Sequence, residues 1–141
     1  FNIGNASLSS FFFVGPWIFL FMIPALTMKL IAEEQANGIL LWLYTLPIKN
    51  NQIVWGKYLA VVSVILFCLL STFLFTITLQ EFLIPEQTLD YGTIFSGYLG
   101  LFFLGCLFAV IGLFTSSIAK NQVMAYVLAV FFCFIIVIWF F

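Results

Sequence analysis

Residues 31–57 read IAEEQANGILLWLYTLPIKNNQIVWGK and gather glutamates, lysines, side-chain amides, glycines, a proline and two tryptophans into one interval. The chain before Lys29 carries no charge, and neither does the run from Tyr58 to Gln80 that follows. A polar island between two apolar runs is a segment that meets water while its flanks do not.

Working outward, composition says what the flanks are. Charged residues make up 6% of the 141 and apolar residues 65%, with twenty phenylalanines. A soluble domain covers its surface with about a quarter of its residues charged, so this chain belongs in a membrane. The charges leave four uncharged runs: Phe1 to Met28, Tyr58 to Gln80, Tyr91 to Ala119 and Asn121 to Phe141. At about 1.5 Å per residue, about 20 residues cross roughly 30 Å of hydrocarbon. Each run therefore crosses once, and the helical phase of the apolar positions excludes the alternation of a barrel strand. The expected fold is an all-α polytopic membrane protein. It forms a single transmembrane domain over 1–141, with spans at 11–30, 58–80, 93–116 and 123–141. An external loop at 1–10, a cytoplasmic segment at 31–57, an external acidic loop at 81–92 and a cytoplasmic link at 117–122 complete it.

Orientation follows from the lysines, since the chain has neither arginine nor histidine. Lys29, Lys49 and Lys57 border or occupy the first link and Lys120 lies in the third, whereas Glu81, Glu86 and Asp90 fill the second without a lysine. The positive-inside rule puts the lysine-bearing links in the cytoplasm. Both ends of the sequence then face outside. The opening Phe1 to Ser10 lacks a basic n-region and a cleavage pattern, so it is not read as a signal peptide. An external start and a last span still apolar at Phe141 lead to the expectation of further segments before and after this sequence.

Within the first span Pro16 suits an opening turn, where its missing N–H costs nothing, but Pro24 lies inside and calls for a kink or a hinge. Past Lys29 the helix is expected to run to Ala36 and to break at Asn37-Gly38. ILLWLYTL is apolar on every face, Pro47 pushes Leu46 out of helical geometry, and Asn50 or Asn51 caps the next helix. The result is a short broken helix across the cytoplasmic face. Trp42 and Tyr44 fit an interfacial anchor, and the length fits a docking surface for a partner, since helix links usually take about 2 to 8 residues; composition leaves both readings open. In the third span Gly105, Ala109, Gly112 and Ser116 step by four, three and four and form one small-residue stripe. This suits close helix packing in lipid, either within the chain or between subunits.

Covalent chemistry has little to work with. Without histidine there is no Ser-His or Cys-His nucleophile and no His-zinc site. The spans hold no carboxylate, and no phosphate-binding G-x-x-x-x-G-K-[ST] loop is present. Cys68, Cys106 and Cys133 sit singly in three spans and read as small apolar side chains. The loop acids lack calcium-loop spacing and read as solvated. No catalytic residue, metal site, cofactor or nucleic-acid partner is expected; the expected surroundings are membrane lipid.

Three long strings carry a resemblance: PWIFLFMIPALTMKLIAEEQANG at 16–38, LPIKNNQIVWGKYL at 46–59 and GYLGLFFLGCLFAVIGLFTSSIAKNQVMAYVLA at 97–129. Together with the opening FNIGNASLSSFF they resemble the membrane permeases of type-2 ABC transporters, and within these the GldF-type permease subunits associated with gliding motility. The resemblance implies a six-span fold, of which this sequence supplies spans two to five, in a bacterial inner membrane. It also implies that 31–57 is the coupling element that docks on a separate ATP-binding subunit. A second permease or an accessory gliding subunit is a further implied partner.

In the family's pattern of two acids, a base, two variable positions and Gly-Thr-x-Glu, Glu33, Glu34 and Gly38 match. Thr45, Pro47, Gly56 and Lys57 match further on, as do Asn121 and Gln122 before the last span. Leu41, Trp42 and Lys49 complete the implied docking set of Glu33, Glu34, Gly38, Thr45 and Pro47. Ile39 stands where the family has threonine, Leu41 where it has an acid, and Gln35 and Ala36 where it has bases. Fewer charges imply a more apolar dock or altered coupling. The implied function is a permease subunit moving an unidentified substrate; a non-transporting scaffold of gliding or secretion machinery is the alternative, and a small channel ranks third because no span has a polar face.

Overall fold

The computed structural model describes residues 3–82 and 91–140. These form α1 (Ile3–Met28), a π-helical turn (Lys29–Glu33), α2 (Glu34–Ala36), α3 (Ile39–Thr45), α4 (Asn50–Phe82), α5 (Tyr91–Ile118) and α6 (Gln122–Phe140), and no strand occurs among them. Among the described residues four helices are long and apolar enough to cross a membrane: Ser10–Ala36, Asn50–Thr78, Tyr91–Ile118 and Gln122–Phe140. The all-helical, four-span expectation holds.

Boundaries differ from the sequence reading where polar composition was taken for loop. α1 is helical from Ile3, not from residue 11. Once the adjoining apolar run has nucleated the helix, each residue added toward the N-terminus gains a backbone bond, which offsets the modest propensity cost of Asn, Ser and Gly. Pro16 therefore lies inside α1 along with Pro24, and the helix continues through both. α5 extends past the predicted 93–116 to Ile118, which shortens the link to α6 to 119–121. Of the acids in the loop expected to be external, Glu81 lies exposed in the last turn of α4; Glu86 and Asp90 fall outside the described residues.

α5 is the centre of the bundle, with α1, α4 and α6 all packed on it and α6 also against α1. Leu20 and Ile23 of α1, Ile65 of α4, Phe108 and Ala109 of α5 and Cys133 and Val137 of α6 form one buried cluster. The small-residue stripe makes this closeness possible: a Cβ on Gly105 would lie 3.1 Å from Ile65, and one on Gly112 2.3 Å from the Thr27 hydroxyl. In lipid, where water expulsion does not drive helices together, such contact is the source of association. Within this chain the stripe faces Thr27 of α1 and Ile65 of α4. α6 presents a second one, Ala125, Ala129, Cys133 and Val137 at steps of four, all buried.

Toward the far end, Tyr98 of α5 donates to or accepts from Thr76 of α4 at 2.9 Å, and its ring meets Phe11, Phe12 and Phe73 at centroid distances of 6.0, 5.4 and 5.5 Å. At the near end Ala32 packs with Ala119 and Ala125. That contact brings the first and third links to one end of the bundle, as shared lysines require.

Candidate functional site

The segment from Lys29 to Lys57 is shaped by a sequence of local stops. α2 ends at Ala36 and Gly38 takes the left-handed conformation with φ 73°, donating its N–H to the Gln35 carbonyl at 3.4 Å. Glycine is favoured there because a Cβ disfavours this region. α3 then starts with Leu41 N–H on Gly38 O at 3.2 Å and runs until Leu46, which is extended (φ −80°, ψ 148°) because Pro47 follows. The Thr45 hydroxyl donates to Trp42 O at 2.6 Å and ties down the last turn.

α4 restarts with Lys49 as its cap. Gln52 accepts the Lys49 N–H through Oε1 at 3.3 Å, half of a capping box. Asn50 and Asn51, read from sequence as the caps, instead occupy the first turn. An amide three residues into the helix can reach back to the cap N–H, and that signal was present in the sequence.

Two side chains from other helices close on the π turn. Ser116 of α5 accepts the Ala32 N–H at 3.0 Å and donates to the Met28 carbonyl at 3.5 Å. Ala32 and Met28 are four residues apart, the pair that an ordinary α-helix would bond directly. The hydroxyl thus stands inside the helical ladder, one of the recognised causes of a local distortion. From α4 the Lys57 ammonium donates to the Leu30 carbonyl and forms an ion pair with the Glu34 carboxylate. The lysine side chain is 12% exposed and that of the glutamate 27%, so the pair is largely screened from solvent.

The predicted docking residues divide accordingly. Leu41 and Trp42 are 72% and 80% exposed, and Tyr44, Thr45, Pro47 and Lys49 are exposed beside them. Glu34 is turned inward onto Lys57 and does not join that surface. Glu33 closes the π turn, and its side chain lies outside the described residues. Gly38 is the bend between the two groups. Sequence reasoning missed Lys57 as the partner of Glu34 and Ser116 as a wedge; a lysine 23 residues from the nearest acid and a serine in a packing stripe gave no local signal.

Among the described residues no group of three or more His, Cys, Asp or Glu converges. The free cysteines lie on three different helices. What the arrangement offers is mechanical: an exposed apolar helix attached through a bend and a braced turn to three spans. A family model described as ABC-2 family transporter protein matches residues 2–140. No curated protein and no solved structure matches the chain.

Proposed function

This chain belongs to the ABC-2 family of transporter proteins, and on that premise we propose that its 31–57 segment couples nucleotide-driven motion to the spans of a permease. Family membership makes the chain the multi-pass, non-catalytic membrane component of an ABC transporter and implies an ATP-binding partner. In the proposal that partner is a separate cytoplasmic subunit in bacteria, the membrane is the inner one, and the transporter serves gliding motility. The observation that carries the coupling reading is α3. It sits between two spans at the lysine-bearing end and exposes Leu41, Trp42 and Tyr44 together. Apolar and aromatic groups in this number suit a partner with an apolar groove, in keeping with the scarcity of charge at Gln35, Ala36, Ile39 and Leu41.

Replacing Leu41 and Trp42 tests the proposal better than reversing Glu33 and Glu34, because a change at Glu34 would also unpair Lys57. In lipid, with the full-length chain, Leu41→Glu with Trp42→Ala should leave the bundle folded and abolish copurification of the ATP-binding subunit and its vanadate-sensitive ATPase stimulation. Unchanged copurification and stimulation would remove the assignment. Association without any nucleotide-dependent change would point to the scaffold instead.

A further inference from the structure

We infer that the turn Lys29–Glu33 is a joint with two registers, set by whether the Ser116 hydroxyl stands inside it. With the hydroxyl inserted, Ala32 N–H bonds to Ser116 and the turn is π-helical. When the hydroxyl withdraws, Ala32 N–H closes on the Met28 carbonyl and the turn becomes α-helical. Ser116 then bonds the carbonyl four residues back, that of Gly112, as serines in apolar helices do. Its neighbour Thr115 already makes that kind of bond, to Ile111 and Gly112 at 3.0 Å each. Ala32 N–H and the Ser116 hydroxyl each exchange one partner for another, while the Lys57–Glu34 pair is made only in the π register. The pair weights the joint toward the π register, and loss of the Ser116 hydroxyl weights it toward the α register.

The consequence is large for a small local change. Shifting one residue between π and α registers turns everything beyond the turn by about 100° and about 1.5 Å along the axis. α2, Gly38 and α3 lie beyond it. Rotation also carries Glu34 away from Lys57, so the ion pair belongs to the π register and α4 senses the state of the joint through it. Ala32, fully buried against Ala119 and Ala125, connects the same turn to the start of α6. One turn of α1 is therefore in contact with α4, α5 and α6 at once.

The joint does not depend on the permease reading; only the motor that would drive it does. The test uses the full-length chain with its ATP-binding partner in nanodiscs, with Cys68, Cys106 and Cys133 replaced by alanine. Spin labels at Asn37→Cys and Ile118→Cys, both exposed positions outside the docking set, report the distance from the end of α2 to α5. The parent should show one main distance without nucleotide. Ser116→Ala should add a second, shifted by on the order of 8 Å, the chord for an atom about 5 Å off a helix axis turned by that angle. Ser116→Gly, which removes the hydroxyl without adding volume, should do the same if the alanine variant fails to fold. Deleting Lys29 removes the extra residue and should abolish the second distance even with Ser116→Ala. A parent-like single distance in both Ser116 variants overturns the joint, as does a shifted distance that persists in the deletion. A Ser116→Ala shift in a protein that shows no response to ATP and vanadate supports the joint and removes the motor.

Discussion

The ammonium of Lys57, at the start of α4, is bound to the carboxylate of Glu34, at the end of the extended first span, across a separation of 23 residues. The same ammonium donates to the Leu30 carbonyl inside the π turn. A cation that serves a side chain and a main-chain acceptor together does more than balance charge: it holds α4 to the turn from which α3 is hung.

Lys57→Ala leaves the Glu34 carboxylate mostly buried without a partner and removes the donor on Leu30, and should cost about 1–3 kcal/mol of stability. Glu34→Gln keeps a hydrogen-bonding side chain and the Leu30 contact, so its cost should be smaller. The exchange Glu34→Lys with Lys57→Glu should not restore the parent, because a carboxylate cannot donate to the Leu30 carbonyl. Thermal unfolding followed by a thiol-reactive dye at buried Cys133 measures all three; full rescue by the exchange would reduce the contact to simple charge pairing.

The stripe on α5 predicts a ranking among glycines. Gly112→Ala puts a Cβ 2.3 Å from the Thr27 hydroxyl and 2.9 Å from Thr27 Cβ, an atom that no change of rotamer moves, and should destabilise by about 1–3 kcal/mol. Gly105→Ala meets Ile65 at 3.1 Å and Phe19 at 3.4 Å, side chains that can give, and should cost less. Gly100→Ala meets nothing within 4 Å and should be neutral or stabilising by up to about 1 kcal/mol through helix propensity. The same dye assay orders them, and a Gly112→Ala protein as stable as Gly100→Ala would mean that α1 and α5 do not approach this closely.

Gly38 separates a conformational cost from a steric one. Nothing lies within 4 Å of where its Cβ would be, yet its φ of 73° disfavours any L side chain. Gly38→Ala should cost about 1 kcal/mol and Gly38→Asn less, since asparagine visits the left-handed region more readily. The bend carries α3 and no core contact, so Gly38→Ala should weaken copurification of the ATP-binding subunit more than it lowers the melting temperature. The opposite order would place Gly38 in the fold's stability and not in the aim of α3.

Spans were legible because lipid leaves so few solutions: an uncharged run long enough to cross must be helical, and the helices at Tyr58, Tyr91 and Val123 follow from that alone. The break at Asn37-Gly38 and the stop at Leu46-Pro47 were legible for a local reason, the backbone preferences of glycine and of the residue before proline. The π turn was not. Lys29 to Glu33 has no unusual residue, and its geometry rests on Ser116, separated from Ala32 by 84 residues. Glu34 illustrates the same limit at the candidate site. Sequence placed it beside Glu33 as a docking charge, and only the packing of α4 on the bundle reveals that its carboxylate is occupied by Lys57. Residues 3–10 differ for a local reason: their polar side chains signal a loop, whereas a helix nucleated in the adjoining apolar run extends through them.

Orientation is the prediction on which the motor depends. Lys29, Lys49, Lys57 and Lys120 border or lie in two links that the contact of Ala32 with Ala119 and Ala125 brings to one end. The remaining link carries only Glu81, Glu86 and Asp90. Lysine bias sets topology through short links near span ends, which is the case for both lysine-bearing links. A membrane-impermeant maleimide added to intact cells should therefore fail to label Asn50→Cys and Lys120→Cys, label both after permeabilisation, and label Glu86→Cys from outside. Unequal labelling of Asn50→Cys and Lys120→Cys would contradict the packing of the two links at one end. Labelling of both from outside would keep the bundle intact and invert it, leaving α3 on the side where no nucleotide-driven partner can reach Leu41 and Trp42.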